Sequence, residues 1–73
     1  MAVREVRPKD AIKALQKLGF SIIRQKGSHV RLGHFNTKRR VTIAVHSKPL
    51  SLGTLYSILR QAEISRKEFE EAL

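Results

Sequence analysis

The sequence predicts an α+β fold with the element order α-β-β-β-α, in which a three-stranded antiparallel sheet carries two helices on one face and a short C-terminal helix follows. An apolar stripe at helical spacing comes first, three short runs rich in branched and aromatic residues follow it, and two amphipathic stretches close the chain. With 73 residues the chain is too short to divide its core in two, so a single domain over residues 1–73 is expected.

The first helix is predicted over residues 8–18. Pro8 suits the first turn of a helix, and Asp10 lies near its positive end. Gly19 comes after the last apolar position, where a left-handed C-terminal cap would require glycine. The apolar positions recur at three-residue spacing: Ile12, Leu15 and Leu18.

Three strands joined by hairpins are predicted over residues 20–25, 29–35 and 40–46, with turns at 26–28 and 36–39. Strand alternation divides their side chains between two faces. The face predicted to pack under the helices carries Phe20, Ile22, Val30, Leu32, Val41, Ile43 and Val45. The opposite, open face carries His29, Arg31, Arg40, Thr42, Ala44 and His46. It is therefore expected to be basic.

Two serines mark the beginnings of the remaining helices. Ser51 is a good N-cap for the second helix, and Ser65 with Glu68 forms a capping box for a final short helix that would bury Phe69. The predicted apolar stripe of the second helix consists of Leu52, Leu55, Tyr56, Ile58, Leu59 and Ala62.

Charge is strongly segregated along the chain. Fifteen Lys and Arg residues against six acids give a formal net charge of +9. No acid occurs between residues 11 and 62, whereas four of the six lie in the last eleven residues. This distribution favours a surface that binds a polyanion, most commonly nucleic acid, over one that is simply very soluble.

Several classes of protein are disfavoured. Without cysteine there is neither a disulfide framework nor a Cys-based zinc site. Residues 1–5 carry no apolar signal core, and no apolar run approaches the roughly 18 residues that span a bilayer, so a cytoplasmic protein with no membrane partner is expected. His29 and His34 face opposite sides of one strand and have no nearby acid, so neither a metal site nor a cofactor is expected.

The remaining chemistry is metal-free cleavage of a phosphodiester, in which histidine moves a proton and cations stabilise the transition state. RNA supplies its own 2′-hydroxyl as nucleophile and is therefore a better substrate than DNA. Gly27 allows a tight turn and the approach of a phosphate, to which Ser28 can donate. From spacing alone, His29 would more often be structural or incidental than catalytic. The candidate RNA contacts are Arg24, Lys26, Arg31, Lys38, Arg39, Arg40, His46 and Lys48.

Three stretches, "LQKLGF", "RQKGSHVRL" and "VTIAVHSKPLSLGTLYSILRQAEIS", resemble the HicA toxin family of type II toxin–antitoxin systems over about residues 7–66. The most specific features are "GSH" after a basic strand, "VH" at the end of the third strand and L-x-x-G-T-L at the second helix. The family often has proline where this chain has Ala44, a difference that concerns the end of the third strand.

The resemblance implies a fold like that of a double-stranded RNA-binding domain and an endoribonuclease that cleaves messenger RNA (an mRNA interferase). It also implies that His29 is catalytic, that Gly27 is the motif glycine, and that a HicB-type antitoxin neutralises the enzyme by covering the site. On this reading His46 is a second proton-transfer group or an RNA contact.

Two alternatives remain. A non-catalytic double-stranded RNA-binding module would normally have lysines at the start of its last helix, where residues 51–54 read Ser-Leu-Gly-Thr. A protein-interaction domain would use the open face, including Ile23 and Ala44, to dock an acidic partner.

Overall fold

The computed structural model describes residues 5–73, and the expectation about a signal segment concerns mainly residues 1–4, which lie outside this range. The predicted α+β fold class is confirmed. The elements in chain order are α1 (Pro8–Lys17), β1 (Phe20–Lys26), β2 (His29–His34), β3 (Arg40–Ala44), α2 (Leu52–Ala62) and α3 (Arg66–Ala72). None of the helices in residues 5–73 has both the length and the apolar character needed to cross a membrane.

The ends of α1 follow the local sequence. The helix begins at Pro8, and the carboxylate of Asp10 accepts a hydrogen bond from the Arg7 amide at 3.2 Å. Gly19 follows the helix with φ of +101°, so the predicted left-handed cap is confirmed. A Cβ atom at Gly19 would lie only 2.6 Å from Nε2 of His34, so this position requires glycine for space as well as for backbone conformation.

Serine caps begin the other two helices, as predicted. Ser51 Oγ accepts a hydrogen bond from the Thr54 amide at 3.2 Å. In α3 the capping box is complete, because Ser65 Oγ accepts from the Glu68 amide and Glu68 Oε1 accepts from the Ser65 amide, each at 3.1 Å. These bonds satisfy amides that the first turn of a helix leaves without a partner.

The sheet has the strand order β1-β2-β3, with both pairs antiparallel. α1 contacts β1 and β3, α2 contacts β3, and α3 packs against α1, so the helices form one layer. The strand residues buried beneath this layer are Phe20, Val30, Leu32, Val41 and Ile43. We refer to the other side of the sheet as the open face; by register it carries Ser21, Arg24, Lys26, His29, Arg31, Gly33, Arg40, Thr42 and Ala44.

A β-bulge changes the direction of the side chains of β1. The register between β1 and β2 shifts between Ile22 and Arg24. Ile22 pairs with Leu32 on the helix side, whereas Arg24 pairs with Arg31 on the open face. Strict alternation would have put Arg24 and Lys26 on the same side as Ile22. The bulge therefore turns two cations away from the core.

Three details of the predicted packing were wrong. Ile22 is 45% exposed, because β1 is an edge strand of the sheet and Phe20 is its only buried residue. β3 ends at Ala44, so His46 lies beyond the strand. In the predicted stripe of α2, Leu52 is 50% exposed and Tyr56 is 43% exposed.

Two phenylalanines provide a test of this core. Phe69 in α3 is 1% exposed, and Phe69→Ala should lower the free energy of unfolding by about 3–5 kcal/mol because it removes a large buried side chain and leaves a cavity. Phe35 is 82% exposed, and Phe35→Ala should change that free energy by no more than about 0.5 kcal/mol. Urea denaturation followed by circular dichroism measures both. Equal losses in the two variants would contradict the packing of α3 against the core.

Candidate functional site

A two-residue turn carries His29 at the start of the central strand. Lys26 and His29 pair across it, and Gly27 has φ of +58°, as the first position of a type II′ hairpin turn requires. The carbonyl of Ser28 accepts a hydrogen bond from the Val45 amide at 2.7 Å. The turn is thus attached to the chain that leaves β3, which restricts its movement.

His29 lies in a shallow depression on the open face, which we call the His29 cleft; its lining consists of Arg24, Lys26, His29, Arg31 and Thr42. Arg31 pairs with Arg24 on one neighbouring strand and with Thr42 on the other. Opposite His29 on β3 is Ala44, whose side chain is only a methyl group, and His29 itself is exposed. The cleft therefore combines one histidine, three cations and one hydroxyl.

No carboxylate balances these cations within the part of the chain that the structure describes. The ion pairs found among residues 5–73 join Arg7 to Glu5, Arg39 to Glu63 and Arg66 to Glu70, and none includes a residue of the His29 cleft. Clustered cations without counter-charges produce a positive potential that attracts anions. The same residues contain no group of three or more His, Cys, Asp or Glu side chains arranged to hold a metal ion.

The predicted RNA contacts do not all meet at this cleft. Lys38 and Arg40 line a second depression at the opposite end of the open face, beside Ile23 and Phe35. Arg39 lines the same depression, but its Nη1 lies 2.6 Å from Oε2 of Glu63. Arg39 is therefore occupied by an ion pair with the residue that caps α2.

His46 and Lys48 are also separate from the His29 cleft. His46 lines a depression near the start of α1, together with Arg7, Asp10 and Lys13. Lys48 is exposed in the connection between β3 and α2. Because the chain leaves the sheet after Ala44, alternation along β3 no longer determines the direction of these side chains.

His34 has a structural role, as its position on the covered side of β2 predicts. Its Nδ1 accepts hydrogen bonds from the amides of Asn36 and Thr37, each at 3.2 Å. Its ring packs edge-on against Phe20, with 5.1 Å between the centroids. His34 thus organises the turn between β2 and β3.

One cleft residue is not indicated by any motif. Alternation puts Thr42 on the open face, but only the register between β2 and β3 puts it beside Arg31. Similarly, Arg24 and Lys26 reach the cleft because of the bulge, for which the amino-acid pattern of β1 gives no signal. Long-range pairing therefore decides the composition of the site.

A protein-family model described as HicA toxin of bacterial toxin-antitoxin matches residues 8–64. The match includes α1, the whole sheet and α2, together with every predicted site residue. A search of curated proteins found no match.

Two glycines that both have open space around the missing Cβ test the turn beside His29. Gly27→Ala should lower the free energy of unfolding by about 1–2 kcal/mol because alanine is disfavoured at positive φ. Gly53 lies in α2 without a positive φ, so Gly53→Ala should raise that free energy by about 0.5–1 kcal/mol. Thermal or urea unfolding measures the two changes. The same sign in both variants would contradict the turn conformation.

Proposed function

This chain belongs to the HicA toxin family of bacterial toxin–antitoxin systems, and on that premise we propose that it is a metal-independent endoribonuclease that cleaves messenger RNA. The observation that carries the proposal is the His29 cleft, in which an exposed imidazole is surrounded by three cations and no acid. Proton transfer and stabilisation of negative charge are the two tasks that metal-free cleavage of RNA requires.

The proposed reaction is an internal transesterification. The 2′-hydroxyl loses its proton, its oxygen bonds to the neighbouring phosphorus, and the bond from phosphorus to the 5′-oxygen breaks. A proton goes to the departing 5′-oxygen, so the products are a 2′,3′-cyclic phosphate and a 5′-hydroxyl. His29 acts in this sequence by taking the first proton or by supplying the second.

The cations of the cleft have a distinct task. As the oxygen attacks, negative charge increases on the non-bridging oxygens of the phosphate, where Arg24, Lys26 and Arg31 stabilise it. The Thr42 hydroxyl can donate a hydrogen bond to the same phosphate. DNA lacks the 2′-hydroxyl nucleophile, so this route selects RNA.

Other basic residues extend the proposed RNA-binding surface beyond the cleft. Lys38 and Arg40 lie farther along the open face, and Lys48 is exposed beyond β3. His46 is assigned to RNA contact rather than to the chemical step, because it lines a different depression from His29.

The partner proposed for this toxin is an antitoxin of the HicB type that covers the His29 cleft. Acidic side chains on such a partner would complement the acid-free open face, and charge complementarity speeds association and selects the correct partner. Since messenger RNA is the substrate, the proposed site of action is the cytoplasm.

Removal of the imidazole tests the chemistry. Purified protein should cleave single-stranded RNA in the presence of EDTA, and His29→Ala should lower the rate by about 10²–10⁴-fold, the contribution typical of general acid–base catalysis. His29 is exposed, so the variant should keep its circular dichroism spectrum and its unfolding midpoint. Cleavage by His29→Ala at the wild-type rate would exclude His29, and stable binding of RNA without cleavage by the wild type would favour a binding module.

Removal of a cation tests the proposed phosphate contacts. In a His29→Ala background, which leaves the RNA intact, Arg31→Ala should weaken binding and reduce the slope of log Kd against log salt by about 0.7 for one lost phosphate contact on a single strand. Lys67→Ala in α3 is the matched control on the helix layer and should leave the slope unchanged. Equal effects of the two substitutions would mean that RNA binding depends on the net charge of the protein, which would contradict a phosphate contact at Arg31.

A further inference from the structure

The end of the open face opposite the His29 cleft is apolar in its centre. Phe35 is 82% exposed and Ile23 is 51% exposed, and the two side chains line one depression with Lys38, Arg40 and the Glu63-paired Arg39. Ile23 lies over Gly33, with its Cδ1 atom 3.4 Å from the point where a Cβ of residue 33 would be. We call this the Phe35 depression. It combines an exposed aromatic ring and an aliphatic surface with three cations, of which Arg39 is paired with Glu63 and Lys38 and Arg40 are not in an ion pair among residues 5–73.

Phe35 lies in a turn that hydrogen bonds stabilise, and its ring contacts a lysine of the same turn. The Lys38 Nζ atom lies 4.8 Å from the centroid of the Phe35 ring, a cation–π contact that occupies one side of the ring. Nδ1 of His34 accepts two amides of this turn, and the Lys38 amide donates to the His34 carbonyl at 2.9 Å. Lys38 has φ of +64°, which is unfavourable for lysine. The surrounding contacts must therefore offset the conformational free energy that this residue costs the turn.

We propose that the Phe35 depression binds an unpaired base of single-stranded RNA, which stacks on the Phe35 ring and contacts Ile23 while Arg40 binds an adjacent phosphate. This inference rests on the proposed function and deepens it by naming single-stranded RNA as the substrate class. Exposed aromatic side chains beside cations stack bases with little regard to sequence, because every base has a π-face. Bases paired inside a duplex do not expose that face to a protein side chain.

The spacing along β2 separates this subsite from the chemical step. Phe35 follows His29 by six residues, which corresponds to roughly 20 Å along an extended strand. The stacked base therefore lies away from the phosphate that is cleaved, so its binding energy is present in the ground state and the transition state alike. Loss of the stack should raise KM and leave kcat unchanged.

Binding measurements with His29→Ala as the parent protein test the subsite. Against a fluorescent single-stranded oligoribonucleotide, a further Phe35→Ala change should raise Kd about 5- to 150-fold, the equivalent of roughly 1–3 kcal/mol for one stacked base. Phe35→Tyr should keep the affinity of the parent. Leu52→Ala removes an exposed apolar side chain from the helix layer and should also leave Kd unchanged.

An abasic oligomer of the same length separates stacking from charge, because it keeps the phosphates and lacks the bases. Phe35→Ala should not alter its Kd. Unchanged affinity of Phe35→Ala for the base-containing RNA, or an equal loss with the abasic oligomer or with a duplex, would overturn the subsite. An antitoxin contact at Phe35 would give the first of these results.

The proposed function is judged by a separate readout, which is cleavage by protein with His29 intact. Cleavage without base-dependent binding at Phe35 would reject the subsite alone. Base-dependent binding without cleavage would reject the endoribonuclease and leave the subsite standing.

Discussion

The β-bulge between Ile22 and Arg24 is the constraint on which both the core and the cleft depend. The first residue of β1, Phe20, is buried under the helices, whereas Arg24 and Lys26 at the other end of the strand line the His29 cleft. Regular alternation would direct all of these side chains to one side of the sheet, and a cation removed from water without a partner is costly. The extra residue allows one edge strand to contribute to the core and to the site.

The same separation of apolar and charged groups governs the electrostatics of the molecule. Glu63 at the end of α2 pairs with Arg39 and Glu70 in α3 pairs with Arg66, while the cations of the open face have no carboxylate partner among residues 5–73. Their mutual repulsion opposes folding, so the apolar residues beneath the sheet must offset it. A bound polyanion would relieve that repulsion, which means that the feature favouring ligand binding is also a cost to the free protein.

Signals that act within a few residues were readable from the sequence, and those that depend on distant contacts were not. Pro8, Gly19, Ser51 and Ser65 act on their own helix ends, and the structure confirms each. The pairing of Arg39 with a residue after α2 depends on how the helix layer packs, which no local pattern encodes. The bulge in β1 and the departure of the chain after Ala44 likewise follow from strand pairing, and they decide which predicted site residues meet.

A single histidine in the His29 cleft limits how the proposed reaction can be catalysed. His46 lines another depression, so the cleft has no second imidazole that could supply a proton to the 5′-oxygen while His29 removes one from the 2′-hydroxyl. The three cations must then carry more of the stabilisation, and this is effective only if they are already in position when charge develops. The short Gly27–Ser28 turn and the bond from the Val45 amide to the Ser28 carbonyl restrict the hairpin that presents them. The rigidity of this hairpin is therefore part of the proposed catalysis. Reorienting a cation during the reaction would cost free energy, and that cost would offset part of the decrease in the activation barrier.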